Sequence, residues 1–316
     1  MYSMRTEIML FWVVNMIRVI SPATSANLGP GFDVIAVALE RPEDSMEFCE
    51  IDEGIEIEVK GYSVPVSPEK NIAGIVANKM LGDFKIERGV RISLNKGIRP
   101  MSGLGSSAAS STGTVIGISE LFGISMNRDK LLEYSLIGEK ATSGSFHADN
   151  ISACLLGGLT IALSEPLKAF RFDVASSIDY VAVLPDVEVN TREARKILPK
   201  KITLRKYSSN LARACLLVRA LEEGDFKKLN IAYEDNLITP LRSKLVPFYY
   251  ELKREALSTG AEAFFISGSG PATLSLLNRE KVDARDLAEH LKSFYLNKGI
   301  EAEIYWGKIG EGTRVT

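Results

Sequence analysis

Residues 54–60, with the sequence GIEIEVK, alternate between polar and apolar side chains. A period of two predicts a strand that buries one face. Apolar residues recur instead at helical spacing over 71–81 and over 106–122, and Gly123 closes the second of these helices. The first half of the chain is therefore expected to contain both kinds of element.

The same patterns divide the rest of the chain. Strands are predicted at 17–21, 34–39, 90–94, 159–163, 180–184, 263–267, 273–277 and 301–306, and helices at 130–140, 192–197, 207–222, 225–237, 245–258 and 281–297. Because both kinds of element occur in both halves, we expect an α+β fold. The pattern restarts after Pro166, so we place two domains at 17–170 and 171–316.

Length and composition agree with this organisation. The 316 residues correspond to about two domains on the usual size range. A balance of 38 Lys and Arg against 40 Asp and Glu gives a net charge of −2, which argues against dedicated nucleic-acid binding. No apolar run approaches the roughly 18–20 residues of a membrane helix, so no membrane partner is expected.

Cysteine and histidine are too sparse and scattered for a zinc site or a disulfide framework. The chain has three cysteines and two histidines, Cys49, Cys154, Cys215, His147 and His290. Reduced thiols of this kind indicate a cytoplasmic protein.

The N-terminal residues carry a short apolar run at 8–14. It has no small-residue cleavage site after it, which argues against a secretory signal. The alternatives are an extra strand and an over-long start, with Met16 as the true first residue.

The strongest local feature is the sequence GLGSSAAS at 103–110, between a strand and a helix. Glycines allow a close backbone approach to a ligand, and the start of the following helix favours an anion. Ser106 and Ser107 add hydroxyls for a phosphate or a divalent metal. A plain helix cap is the alternative. The loop is not a Walker loop, because no Lys-Ser/Thr follows its second glycine. It is not a dinucleotide-binding loop either, because the next acidic residue, Glu120, lies inside the same helix, whereas the acid that binds a ribose should lie beyond that helix.

Two more glycine-rich loops follow the same composition, PATSANLGPGFD at 22–33 and SGSGPA at 267–272. Three such loops favour one composite pocket for a phosphate and a substrate, although a Gly-Pro turn alone is ordinary. Glu139 precedes Asn150 by eleven residues in a fourth polar segment, 138–150. It is a candidate metal ligand, with a solvated helix residue as the alternative.

Together these segments resemble the GHMP small-molecule kinases. The sequence PMSGLGSSAAS at 100–110 is similar to that family's ATP loop, and SGSGP at 267–271 to its C-terminal glycine motif. The segments 22–33, 138–150 and 191–199 (TREARKILP) resemble the homoserine kinase branch in particular. The matching segments run in the family's order from residue 17 to about residue 277.

The resemblance implies an N-terminal domain with the ATP loop and a left-handed βαβ crossover, and a ferredoxin-like C-terminal domain, with the active site between them. It also implies a cytoplasmic, homodimeric enzyme of threonine biosynthesis that uses ATP and Mg²⁺. The implied substrate is L-homoserine, phosphorylated on its side-chain hydroxyl.

By position, the resemblance implies three sets of site residues. ATP would contact Asn71, Pro100, Met101, Ser102, Gly103, Leu104, Gly105, Ser106, Ser107, Ala108, Ala109 and Ser110, and Mg²⁺ would contact Ser107 and Glu139. Homoserine would contact Asn27, Asp33, Asn150, Arg195, Arg242, Gly268 and Gly270. The two arginines suit its carboxylate, and Gly268 or Gly270 would offer backbone N–H groups.

The catalytic set implied is Asp33, Glu139 and Ser107, and whether Asp33 removes a proton is open. Met101 and Ala272 depart from the family pattern, where Gly and Ser or Thr are common. The alternatives are a neighbouring mevalonate or shikimate kinase, a non-catalytic nucleotide sensor on the same fold, and an α+β module with incidental glycine loops.

Overall fold

The computed structural model of the protein describes residues 16–143, 148–187, 189 and 191–316, with the backbone alone at 141–143 and 191–193. The predictions for residues 1–15 lie outside this part, as does the centre of the 138–150 segment. Within the described ranges, no helix is long and apolar enough to cross a membrane.

Within the part of the chain that the structure describes, the first domain is built on a seven-stranded sheet with four helices. Its strands are β1 (Met16–Ala26), β2 (Ile35–Ile51), β3 (Ile55–Gly61), β4 (Gly89–Lys96), β5 (Leu159–Ser164), β6 (Leu167–Phe172) and β11 (Arg314–Val315). Its helices are α1 (Ile72–Asp83), α2 (Ser106–Leu121), α3 (Arg128–Ser143) and α4 (Ala148–Leu156). The strands β3 and β4 are parallel and joined through α1, which forms a βαβ unit. Helix α2 packs on β1 and β2.

The second domain is built on a four-stranded antiparallel sheet. Its strands are β7 (Ile178–Pro185), β8 (Ala261–Ile266), β9 (Thr273–Asn278) and β10 (Ala302–Lys308), in the order β10-β7-β9-β8. Its helices are α5 (Thr191–Lys196), α6 (Leu204–Glu223), α7 (Phe226–Ala232), α8 (Thr239–Arg242), α9 (Tyr249–Ser258) and α10 (Ala284–Asn297), with a 3-10 turn at Ser243–Leu245. This order, with helices before β8 and β10, is the ferredoxin-like arrangement, as expected.

A shared hydrophobic core joins the two sheets. One continuous cluster contains Leu28 and Leu39 of the first domain and Tyr180 and Phe265 of the second. The chain passes from the first sheet to the second between Phe172 and Ile178. The division at residues 170 and 171 stays a prediction.

The sequence prediction is least accurate in the lengths of β1 and β2. The first strand does not end at Ser21 but continues to Ala26, with an irregularity between Pro22 and Thr24. Residues 21–26 are all buried, so the alternation that marks a half-buried strand is absent there. Helices α4 and α8 and strands β6 and β11 were not predicted.

After β10 the chain returns to the first domain. Gly157 forms a bridge with Glu311, and β11 pairs with β1 through Val19 and Val315. The last residues of the sequence thus complete the edge of the first sheet.

Candidate active site

A cavity of about 480 Å³ opens between the two domains. Most of the predicted site residues line it: Asn27, Asp33, Asn71, Pro100, Met101, Ser102, Gly103, Gly105, Ser106, Ser107, Ser110, Glu139, Asn150, Arg195, Arg242 and Gly268. Leu104, Ala108 and Ala109 are fully buried in the core behind it. Their side chains are therefore not available to a ligand.

The three glycine-rich loops meet at this cavity. The Ser267 hydroxyl donates to the Gly103 carbonyl at 2.7 Å, and the Ala272 N–H donates to the Ser102 carbonyl at 3.0 Å. The Asn27 side-chain amide donates to the Gly268 carbonyl at 2.9 Å. The composite pocket expected from the sequence is therefore present.

The start of helix α2 forms one end of the cavity. Gly105 caps this helix in the left-handed region, with φ of 68°, and no described side chain caps it. A Cβ on Gly105 would lie 1.9 Å from the Thr24 hydroxyl, so only glycine fits. The N–H groups of the first turn face an anion site of the kind that binds phosphate. Met101 also adopts a positive φ, 57°, a region that favours the glycine common at this position in the family.

Ser107 and Glu139 lie together at this end. The Ser107 hydroxyl donates to the Glu139 carboxylate at 2.8 Å. Hydroxyl and carboxylate oxygens are ligands that Mg²⁺ accepts, and Mg²⁺ usually takes its remaining ligands from substrate phosphates and water. This pair therefore fits a metal that binds with a nucleotide. In the described ranges no cluster of three or more His, Cys, Asp or Glu side chains could hold a metal by itself.

Asn71 lies at the cavity, but its side chain has a structural task. Its amide oxygen accepts the Ala73 N–H at 2.9 Å, which caps α1, and its amide nitrogen donates to the Pro65 carbonyl at 2.6 Å. Asn71 therefore shapes the cavity wall by fixing the segment that contains Pro65.

The opposite end of the cavity is charged. Arg195 Nη2 lies 3.0 and 3.1 Å from the two carboxylate oxygens of Asp33. Arg242 is 4% exposed and donates from Nη1 to the Gly268 carbonyl at 2.9 Å, and its Nε has no hydrogen-bond partner among the described residues. Burial lowers the pKa of Arg242, and the nearby Asp33 charge counters this. The position of both arginines suits an anionic ligand.

The expectation for Gly268 and Gly270 is wrong in one respect. Their N–H groups already donate to the Ala26 carbonyl at 3.1 Å and the Ser267 carbonyl at 2.8 Å, so neither is free for a ligand. Gly270 is not among the lining residues, and Gly268 holds Asn27 and Arg242 through its carbonyl.

Two groups at the cavity were missed. Asp149, in the first turn of α4, is 2% exposed and lines the charged end. Burial, with a smaller contribution from Asp33, raises its pKa to about 7. The other group is the buried ion pair of Asp44 and Lys96 below the glycine-rich loop at 103–110.

The ion pair fixes the backbone that leads into the glycine-rich loop at 103–110. Lys96 donates to Asp44, to the Ser106 carbonyl at 2.8 Å and to the Ser110 hydroxyl at 2.9 Å. The second oxygen of Asp44 accepts the Gly97 N–H at 3.0 Å. Burial lowers the pKa of Lys96 and raises that of Asp44, and each charge counters the shift of the other.

We expect Asp149 to make stability depend on pH. Because its pKa is raised from 3.8 to about 7, between these values the folded protein holds a proton that the unfolded chain releases. The free energy of unfolding therefore falls as pH rises through this interval. Asp149→Asn cannot ionise, so thermal melts of the ligand-free protein should place its Tm higher, relative to wild type, at pH 8 than at pH 5. Equal differences at both pH values would contradict the raised pKa.

Comparison with known proteins assigns this chain to a family of kinases. The family model described as GHMP kinases N terminal domain matches residues 71–158, and the model described as GHMP kinases C terminal matches residues 217–297. Both halves of the GHMP kinase architecture are thus present in their expected order.

Similar whole chains narrow the assignment. The chain is 42% identical to the homoserine kinase of Pyrococcus abyssi, over 94% of this chain and 98% of that protein. It is 37% identical to the homoserine kinase of Methanococcus vannielii, over 94% and 97% of the two chains. The crystal structure of homoserine kinase from Cytophaga hutchinsonii superposes with a TM-score of 0.89 at 31% identity and covers all of both chains. The chain belongs to the homoserine kinase family of the GHMP kinases.

Proposed function

We propose that the protein transfers the γ-phosphoryl group of ATP to the side-chain hydroxyl of L-homoserine and forms O-phospho-L-homoserine. Support comes first from the cavity, which joins a phosphate-binding loop to a pair of arginines beside two carboxylates. The names of its relatives in Pyrococcus and Methanococcus agree with this activity.

The nucleotide occupies the end formed by α2. The backbone N–H groups of the 103–107 loop and the first turn of α2 bind its phosphates, and Ser107 and Glu139 hold Mg²⁺. When bound, the metal neutralises charge on the transferred phosphoryl group. The ion pair of Lys96 and Asp44 keeps the loop in place from below. The ATP loop is therefore preorganised by residues that do not contact the acceptor.

The acceptor occupies the charged end. Arg195 and Arg242 bind its carboxylate, and Asn27, Asp33 and Asn150 hold its amino and hydroxyl groups. The Thr24 hydroxyl donates to the Asn150 amide oxygen at 2.7 Å and so orients that amide.

The balance of charge at this end favours an amino acid. Two guanidinium groups are matched by the carboxyl groups of Asp33 and Asp149, which suits a zwitterion with one carboxylate and one ammonium group. Mevalonate and shikimate carry a carboxylate but no ammonium group. An ammonium group near Asp149 also favours the ionised form of this buried carboxyl.

Positioning supplies most of the catalysis in this scheme. Phosphoryl transfer passes through a loose transition state, so alignment of the hydroxyl and neutralisation of charge matter more than a strong base. Both oxygens of Asp33 face Arg195, which suits an orienting role. The hydroxyl proton passes to the transferred phosphate, and no dedicated base is required.

A coupled assay of ADP release tests the proposed function. The protein is incubated with ATP and Mg²⁺ and, in parallel reactions, with L-homoserine, mevalonate, shikimate or L-serine. Turnover with homoserine alone supports the assignment, whereas turnover with another alcohol would keep the ATP site and overturn the substrate. No turnover, with a rise of Tm on addition of ATP, would favour a nucleotide sensor.

We also propose that the enzyme is a cytoplasmic homodimer, as its family resemblance implies. Sedimentation of the purified protein tests this state, since a single species near the chain mass of 34.6 kDa would contradict it.

A further inference from the structure

Phe32 belongs to the glycine-rich loop at 22–33, and its ring lies against the two arginines of the charged end. The guanidinium carbon of Arg242 lies 5.1 Å from the centroid of the Phe32 ring, and that of Arg195 lies 5.9 Å from it. Both distances are within the roughly 6 Å at which a cation is attracted to the face of a ring. One aromatic ring therefore contacts both cations.

The backbone that carries Phe32 is fixed on both sides. The Asp33 N–H donates to the Asn27 side chain at 2.9 Å, and the Gly31 N–H donates to the Asn27 carbonyl at 2.9 Å. The Ile35 N–H donates to the Gly31 carbonyl at 2.8 Å, which joins the loop to β2. The ring is thus presented by a short, closed loop of defined geometry.

The arginines need such a support because their charges repel each other. Arg195 is held by Asp33, but Arg242 is buried and, among the described residues, donates only to a neutral carbonyl. The charge of Arg195 contributes to the lowered pKa of Arg242. A cation–π contact strengthens when the cation is desolvated, which is the situation of Arg242.

We propose that Phe32 is a positioning residue that holds Arg195 and Arg242 at the spacing required by the carboxylate of the acceptor, a role that rests on the proposed homoserine kinase activity. The ring supplies an attractive surface to both guanidinium groups without occupying their N–H donors. Phe32 therefore contributes to the binding of the acceptor and not to that of ATP.

The test compares Phe32→Leu with Phe32→Tyr in steady-state kinetics with homoserine and ATP. Leucine keeps an apolar side chain and removes the ring face, whereas tyrosine keeps the ring. We expect Phe32→Leu to raise the KM for homoserine by about 10-fold, with the KM for ATP and kcat within about 2-fold of wild type. Phe32→Tyr should remain close to wild type. Phe170→Leu, at an exposed position on β6, is the matched control and should change none of these values.

Three results would overturn the role of Phe32. These are an unchanged KM for homoserine in Phe32→Leu, a parallel rise of both KM values, and a Phe32→Tyr variant that behaves like Phe32→Leu. A wild-type enzyme that does not phosphorylate homoserine would instead overturn the proposed function, and this inference with it. The two failures are therefore distinguished by the wild-type control.

Discussion

Glu139→Gln should lower kcat by about 10²- to 10³-fold, since it weakens the proposed binding of Mg²⁺, whose positive charge stabilises the transferred phosphoryl group. The substitution keeps the size of the side chain and its contact with Ser107, which lies at 2.8 Å. It removes the negative charge that is proposed to hold Mg²⁺. Because the loss concerns the metal, a higher Mg²⁺ concentration should restore part of the activity, and the coupled assay at several Mg²⁺ concentrations measures this.

Glu120→Gln is the matched control for this variant. Glu120 is exposed in the last turn of α2, so the same chemical change there should leave kcat unchanged. A Glu139→Gln enzyme with wild-type kcat and Mg²⁺ dependence would remove Glu139 from the metal site.

Gly105→Ala should remove most of the activity and destabilise the protein. The left-handed backbone costs a residue with a side chain about 1–2 kcal/mol. The new Cβ would in addition lie 1.9 Å from the Thr24 hydroxyl and 3.2 Å from the Asn150 amide oxygen. The start of α2 must then move away from β1, and a displacement of about 1 Å at a reacting group can cost about 10²-fold in rate. Kinetics and thermal melts of the same preparation measure both effects.

Gly123→Ala separates the backbone cost from the clash. Gly123 has φ of 63°, close to the 68° of Gly105, but an added Cβ there meets no atom of the described residues within 4 Å. Its loss of stability should therefore be smaller, with normal kinetics. Equal losses of stability and activity in the two variants would mean that the approach of Thr24 does not limit residue 105.

The sequence predicts secondary structure best where the pattern of apolar and polar residues reflects the burial of the side chains. The strand at 54–60 and the helices at 71–81 and 106–122 appear as β3, α1 and α2 with small changes of their ends. Strand β3 alternates half-buried and exposed side chains, Asn71 caps the start of α1, and Gly123 follows the end of α2, so each element leaves a local signal. The segment 21–26 lacks both signals, because it is buried on both faces and rich in small polar residues.

The missed site residues have a related explanation. Asp149 belongs to helix α4, whose small and polar residues gave no helical pattern, so its burial was not foreseen. The ion pair of Asp44 and Lys96 did leave a signal. Asp44 shares the inward face of β2 with Met46 and Phe48, and Lys96 shares that of β4 with Ile92 and Leu94. A charged residue on an apolar strand face indicates a buried partner.

The resemblance to a family assigned roles to residues whose function the local sequence pattern alone left undecided. Local pattern did not distinguish a helix cap from a phosphate loop at 103–110, and Glu139 alone was compatible with a solvated helix. Their contact across α2 and α3 depends on tertiary packing, which no local pattern encodes. The same holds for Arg195, whose pairing with Asp33 joins residues 162 positions apart.

Strand β11 has a consequence for how the protein is synthesised. A ribosome that has released only residues 17–170 has not yet produced the strand that covers the edge of β1. An uncovered strand edge is a template for pairing with other chains. In the nascent first domain, this edge of β1 therefore remains uncovered until the whole second domain has emerged. Translation and folding of this enzyme are thus coupled through residues 314–315, and slow elongation over the second half would lengthen the period of risk.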